Sequence, residues 1–245
     1  MAETIATVAR LYLYPVKSMA GIRLEEAYVG LDGIVGDRQY SFVQAGKAAT
    51  HSFPWMTARQ SAQMLLYQPS FAQLPTPEQP EPPLRVRTPE GTSCDPNDPA
   101  LRDDLANQLG QPLFLLKSCR GMFDCQHVSL FSLASVSALS AEAGCPIDPR
   151  QFRANVYMEP VSGKPFGEET WSGSMLRIGD EVITGVTQRD TRCMMVNLNP
   201  ETGQQNPQVL RTIAQGHQGQ AGIYANVVRP GLIRVGDPIR LAATP

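Results

Sequence analysis

Nine of the chain's 21 prolines fall between Pro69 and Pro99, and no other feature restricts the fold as much. Proline fixes φ and lacks an N–H, so this density excludes a helix or a central strand over most of the stretch. The segment reads as a long surface loop around the short strand "LRVRTPE", with an interdomain linker as the alternative. Regular structure has to be arranged on either side of it.

Upstream, "TVARLYLYPVKS" is a strand rich in Val, Leu and Tyr that stops at Pro15 and delivers Lys17 and Ser18 into a turn. A second strand pair follows in "LEEAYVGLDGIVGDRQYSFV", where Gly30, Gly33 and Gly36 punctuate alternating apolar residues and Arg38 sits at a strand edge. Downstream, Asp98 before Pro99 predicts a capped helix over "PALRDDLANQLG" ending at Gly110. "PLFLLKS" reads as a strand, and "FSLASVSALSAEAG" as a helix that opens at one of its serines and closes at Gly144. Beyond that point β signals dominate. "MLRIGDEVITG" at 175–185 and "LIRVGDPIRLA" at 232–242 echo each other, each with two apolar runs around a Gly-Asp corner, and suggest strands wrapped around one barrel-like core.

Hydrophobic residues make up 42% of the chain, enough for a packed core. A net charge of −2 leaves no global basic field for a nucleic-acid polymer or an anionic membrane. The N-terminal apolar stretch is interrupted by Arg10, Pro15 and Lys17, which fits neither a signal-peptide core nor a membrane span. The expectation is a cytoplasmic protein without a membrane anchor. The five cysteines, Cys94, Cys119, Cys125, Cys145 and Cys193, are odd in number and contain no Cys-x-x-Cys pair. That argues against a disulfide framework, a zinc ribbon or an iron–sulfur array.

Cys193 lies in "QRDTRCMMVNLNPETG". A lone cysteine in a strand is commonly a small core hydrophobe, but Arg189 and Arg192 nearby would favour the thiolate that binds soft metals. Lys17, Ser18, Arg38, Arg153 and Asn155 stand at strand ends or turns. Separately they read as solvated surface. Brought together, two guanidinium forks and an ammonium would suit a phosphate or another polyoxygen anion, with the helix start near Ser132 to Ser135 able to add N–H donors. His51, His127 and His217 show no metal-ligand spacing, and "GHQGQAG" has no preceding strand to make it a dinucleotide fingerprint.

Taken in order, "YPVKS", "GDRQYSFV", "FRANVYM", "PFGEETW", "RIGD", "TRCMMVNLNPETG" and "IRVGDPIRL" resemble the MOSC-domain proteins. The likeness is greatest to the branch containing the mitochondrial amidoxime-reducing components, bacterial N-hydroxy-purine-detoxifying reductases and the C-terminal domain of molybdenum cofactor sulfurases. It implies a mixed α/β, β-rich fold: a MOSC N-terminal β domain over residues 1–117, then a β-barrel MOSC domain over 118–245 with a few short helices.

The resemblance also implies a molybdenum cofactor, a molybdenum–pterin. Cys193 matches the cysteine that supplies a thiolate to the metal; Lys17, Ser18, Arg38, Arg153 and Asn155 match cofactor-holding positions. Ser135 matches a phosphate-side serine, and Thr191 and Arg192 lie in the loop closing over the site. Leu133, Ala134 and Ala154 depart from the pattern, standing where relatives carry aspartate, threonine and proline. The expected activity is reduction of small N-hydroxylated substrates such as amidoximes, hydroxylamines or N-hydroxylated nucleobases. Nothing in the chain resembles a flavin, haem or iron–sulfur site, so an external electron-donor redox protein is the expected partner. A carrier of the cofactor, or of sulfur on Cys193, is the alternative, and a metal-free binding domain the blander one.

Overall fold

The computed structural model describes residues 3–242. The first half holds β1 (Thr4–Leu13), β2 (Ile22–Leu24), β3 (Glu26–Gly30), β4 (Gly33–Ile34), β5 (Tyr40–Gln44), β6 (Gln68–Phe71), β7 (Leu84–Arg87), β8 (Ser93–Cys94), α1 (Pro99–Leu109) and β9 (Leu113–Lys117). The second half holds β10 (Val128–Ser132), α2 (Leu133–Ala143), β11 (Val156–Pro160), β12 (Met175–Ile178), β13 (Val182–Thr191), α3 (Gln208–Gly216), β14 (Gln220–Arg229), β15 (Gly231–Arg234) and β16 (Pro238–Ala242).

Seven strands close into a barrel in the order β11, β10, β14, β13, β12, β16, β1, with β1 returning to pair with β11. β1 therefore belongs to the barrel although it is the first strand of the chain. Its N-terminal part pairs with β16, its middle with β11 and its last residues with β2. The β10–β11 pair is parallel, which requires a crossover, and α2 supplies it. The return from that crossover to β11 carries Arg153 and Asn155.

Alternation with period two decides which side chains fill the barrel. Val8, Leu11, Leu13, Leu130, Val156, Met158, Ile223 and Ala225 point into one core. Their neighbours Tyr12, Tyr14, Phe131 and Tyr157 point the other way, into a second core under α2 and α3. β10 is consequently buried along its whole length. A third core gathers β5, α1, β7 and the methionines Met19, Met56 and Met64.

Both expected helix boundaries are found: Asp98 accepts from the Ala100 N–H and Gly110 ends α1 at φ 75°, while Ser132 caps α2 and Gly144 ends it at φ 66°. Two expectations change. The segment beyond Gly144 is not β alone, because α3 follows Pro207 and buries Val209, Thr212 and Ile213. The two Gly-Asp echoes also diverge: 175–185 is the β12–β13 hairpin, whereas 232–242 is a corner between sheets, with β15 on β3 and β16 on β12 and β1. In the proline-rich stretch, β7 is the middle strand of a small three-stranded sheet and contains no proline.

Because β1 is shared, Leu11→Ala should destabilise the whole molecule by about 2–5 kcal/mol. Trp55 stands beside β5 and Trp171 packs on the barrel core, so single-tryptophan variants report the two regions separately. Their urea midpoints should fall together. A Trp55 midpoint that stays put while that of Trp171 drops would refute the shared-strand account.

Candidate functional site

The segment after β1 runs beside residues 38–40: the Arg38 N–H donates to the Tyr14 carbonyl at 2.7 Å, Tyr40 to Pro15 at 3.1 Å, and Lys17 to Tyr40 at 2.8 Å. A buried carboxylate fixes this junction. Asp37 Oδ1 accepts from the Tyr14 N–H at 2.7 Å, and Oδ2 accepts from Asn155 Nδ2 at 3.0 Å and from the Arg38 guanidinium. Asn155 continues the network, donating to the Tyr12 carbonyl at 3.2 Å while its Oδ1 accepts from the Ser129 N–H at 3.3 Å.

These contacts line a cavity of about 340 Å³ at the barrel mouth, bordered by Lys17, Ser18, Arg38, Arg153, Asn155, Thr191, Arg192 and Cys193 together with Asp190 and Tyr224. Eight of the nine residues expected at a site thus meet in one place. Three of them, Ser18 (φ 67°), Arg38 (φ 51°) and Arg153 (φ 53°), adopt the left-handed conformation, which non-glycine residues hold only where surrounding structure compels it. Such strain concentrates at functional sites, and here it aims three polar side chains inward.

Two of the four cations are only partly satisfied among the described residues. Arg38 also donates to the Arg153 carbonyl at 2.8 Å, and it stacks 4.8 Å from the Tyr14 ring centroid. Arg153 donates from Nη1 to the Met19 carbonyl at 2.7 Å, but its buried Nη2 has no partner among the described residues. Burial, with the Arg38 charge acting in the same direction, brings the Arg153 pKa down to about 10. Arg192 donates to the carbonyls of Ala221 (2.7 Å) and Phe152 (2.9 Å) and pairs with Asp190 at 2.8 Å. Its Nη2 is likewise buried and unpartnered among the described residues. At Gly222 (φ 80°) a Cβ would lie 3.0 Å from that nitrogen, so the glycine keeps the space beside it clear. Lys17 is 5% exposed, donates to the Met122 carbonyl at 2.6 Å and pairs with Asp124. Burial holds its pKa below the ordinary lysine value, despite the opposing effect of Asp124.

Cys193 follows the end of β13 and precedes a 3-10 turn over Met194–Asn197, half-buried at the cavity wall. A second thiol, Cys125, borders the same cavity; burial and then the charges of Asp190 and Asp124 raise its pKa. Arg189 is not part of the cavity: it pairs with Glu169 at 2.7 Å. Among the described residues no group of three or more His, Cys, Asp or Glu side chains is arranged to hold a metal.

Ser135 is the expected site residue that the structure does not bring to the cavity. It is fully buried, donates from Oγ to Glu168 Oε1 at 2.8 Å and accepts from the Phe166 N–H at 2.8 Å. Glu168, from "PFGEETW", lies over the start of α2 and also accepts from the Ser132 N–H at 3.3 Å. Ser132 Oγ caps the first N–H groups of α2, and Glu168 with the Phe166 N–H takes up the Ser135 hydroxyl, which leaves Ser135 no free face.

Asp37 and Asp190 are the residues that sequence reasoning missed. Asp37 could have been found from "GDR", since a buried arginine after a Gly corner calls for an adjacent carboxylate. Asp190 had no such signal, because its place opposite Ser129 and Tyr224 depends on the β13–β14 register.

The sequence matches two described domains: the MOSC N-terminal beta barrel domain over residues 5–102 and the MOSC domain over 117–240. A molybdenum cofactor sulfurase of Drosophila grimshawi is 28% identical over 94% of this chain and 34% of its own length. One from Drosophila mojavensis is 37% identical over 39% of this chain and 12% of its own. The chain therefore spans about a third or less of these relatives. The YuaD protein from Bacillus subtilis superimposes over all of both chains with a TM-score of 0.52 at 15% identity, a likeness of fold.

Burial outweighs the Arg192 ion pair and the Ser129 hydrogen bond at Asp190, raising its pKa from 3.8 to about 6. The folded protein thus holds this proton more tightly than the unfolded chain. Its contribution to stability should be complete below about pH 4 and lost as the pH rises through about 6. Infrared titration should show a carboxyl band with a midpoint near 6 that is missing in Asp190→Asn.

Proposed function

Because this chain belongs to the MOSC family, in the form that joins a MOSC N-terminal beta barrel domain to a MOSC domain, we propose that it is a molybdenum cofactor-dependent reductase of N-hydroxylated compounds. The observation that carries this reading is a half-buried thiol on the wall of a cavity that Arg153 and Arg192 also line, each with one buried guanidinium nitrogen unpartnered among the described residues.

Such nitrogens favour an anion with several acceptor oxygens, because a buried unmade hydrogen bond costs about 1–3 kcal/mol. A phosphate-bearing pterin meets that requirement. With two thiols on the cavity wall, Cys193 next to Arg192 in sequence and Cys125 with its pKa raised by burial, and no ready-made metal cluster among the described residues, the donor set suits a metal that arrives with most of its ligands. Thiolate is a soft ligand appropriate to molybdenum held by pterin sulfurs.

When bound, the molybdenum–pterin group supplies two-electron chemistry at an N–O bond. The chain's residues have separate tasks. Cys193 is the protein ligand, Arg153 and Arg192 bind anionic oxygens, and Lys17 adds a point charge. Asp37 and Asn155 keep Arg38 pointed into the cavity, and Ser18 and Thr191 line it. Overall, R–NHOH takes two electrons and two protons and leaves as R–NH2 and water. The electrons come from an external redox protein. Five unpaired cysteines support a reducing compartment, the cytoplasm, and no helix among the described residues is long and apolar enough to cross a membrane.

A second reading, favoured by the name of the sulfurase relatives, is a carrier that holds the cofactor or a sulfur on Cys193 without turnover. Molybdenum content and benzamidoxime reduction with an artificial donor separate the two. Wild type from a cofactor-competent host should contain stoichiometric metal and turn over, and Cys193→Ser should be inactive while still folded. Arg192→Ala should lose about 10–100-fold in activity or metal affinity, the scale for residues that orient a metal site. Full activity in Cys193→Ser would sink the assignment; metal without turnover would select the carrier.

A further inference from the structure

The cationic cavity is not the end of the depression at the barrel mouth. A second hollow of about 550 Å³ adjoins it, sharing Thr57, Arg59 and Asp124 with the first and adding Gln44, Lys47, Phe53, Trp55 and Gln60. A hollow of this size accommodates a small organic molecule.

Its walls have two properties. Phe53 is 39% exposed and meets Trp55 edge-on with ring centroids 6.2 Å apart, with Lys17 Nζ 5.1 Å from the Phe53 centroid. Lys47 and Arg59 make no ion pair among the described residues; Arg59 donates only to Thr57 Oγ1 at 3.4 Å and lies 5.7 Å from the Phe53 ring centroid. The one carboxylate present, Asp124, is already committed to Lys17.

The aromatic wall is also held in place before anything binds. The Gln44 N–H donates to the Pro54 carbonyl at 2.9 Å, Met56 to Phe42 at 2.7 Å, and the buried Gln44 side chain to the Trp55 carbonyl at 2.8 Å. Residues 54–56 are thereby fastened to β5.

We propose that this hollow is the substrate vestibule, and that Phe53, Trp55, Lys47 and Arg59 select planar aromatic N-hydroxylated compounds bearing a negative charge remote from the N–O bond. The inference rests on the reductase reading and gives it a substrate class. The ring packs on Phe53 and Trp55 and its anionic group meets Lys47 and Arg59, while the N–O end passes Thr57 into the cavity of Cys193. An aromatic, anionic nucleotide extension of the pterin has the same chemistry and is the rival occupant.

The test uses cofactor-loaded protein and the two amidine products, which cannot be reduced further at an N–O bond. Trp55 fluorescence reports binding, with Trp55→Phe as the control that removes the signal. 4-Amidinobenzoate should bind about tenfold more tightly than benzamidine, and Lys47→Ala/Arg59→Ala should erase the difference. In turnover, the same double variant should lower the kcat/KM ratio of 4-carboxybenzamidoxime to benzamidoxime about tenfold. Equal binding of the two amidines, or a ratio untouched by the double variant, overturns the assignment. So does a nucleotide released with the pterin from protein that 4-amidinobenzoate cannot enter. Selective binding with no reduction of either amidoxime leaves the vestibule standing and removes the reductase reading instead.

Discussion

Everything at the barrel mouth depends on one buried carboxylate. Asp37 is 2% exposed and ties together three pieces of chain far apart in sequence: the end of β1 at Tyr14, its own neighbour Arg38, and Asn155 at the start of β11. A buried charge is tolerable only when paired and hydrogen-bonded, and Asp37 meets both conditions through these partners. The same bonds determine where Arg38 points. Without them, the guanidinium would be left with the Arg153 carbonyl and the Tyr14 ring and no charge partner.

The barrel supplies the rigidity that this arrangement requires. Left-handed backbone at Ser18, Arg38 and Arg153 is unfavourable in isolation and persists because each residue is tied to a strand end that cannot move. The parallel β10–β11 pair is equally consequential. It forces a crossover, and the crossover returns through Arg153 and Asn155 beneath Tyr14. Cations are thereby concentrated at one end of the barrel, with two guanidinium groups left short of hydrogen-bond acceptors among the described residues.

Much of this was legible in the chain because its signals are local. A cap before a proline, a glycine closing a helix and alternating residues that end at Pro15 each act over a few positions, and α1, α2 and β1 follow them. The cationic residues of the cavity were legible through the ordered motifs rather than through spacing. What escaped depends on long-range register. The sequence 232–242 resembles a hairpin, yet its two strands are taken by different sheets. Ser135 looked available at a helix start until Glu168, 33 residues later, was folded onto it. Asp190 becomes a cavity residue only because β13 and β14 pair with bulges that place it against Ser129.

The use of β1 as a barrel stave has a consequence for biosynthesis. Its barrel partners are β11 and β16, both far from it in sequence, so β1 must wait for them before the barrel can close. Contacts of such separation in sequence form slowly, since the chain entropy lost in bringing the ends together precedes the reward. Asp37 also lacks its Asn155 partner until well over half the chain has left the ribosome. The segment before β10 therefore presents no finished pocket to an anionic guest, and the cavity can hold one only when β11 and the turn before it have joined β1.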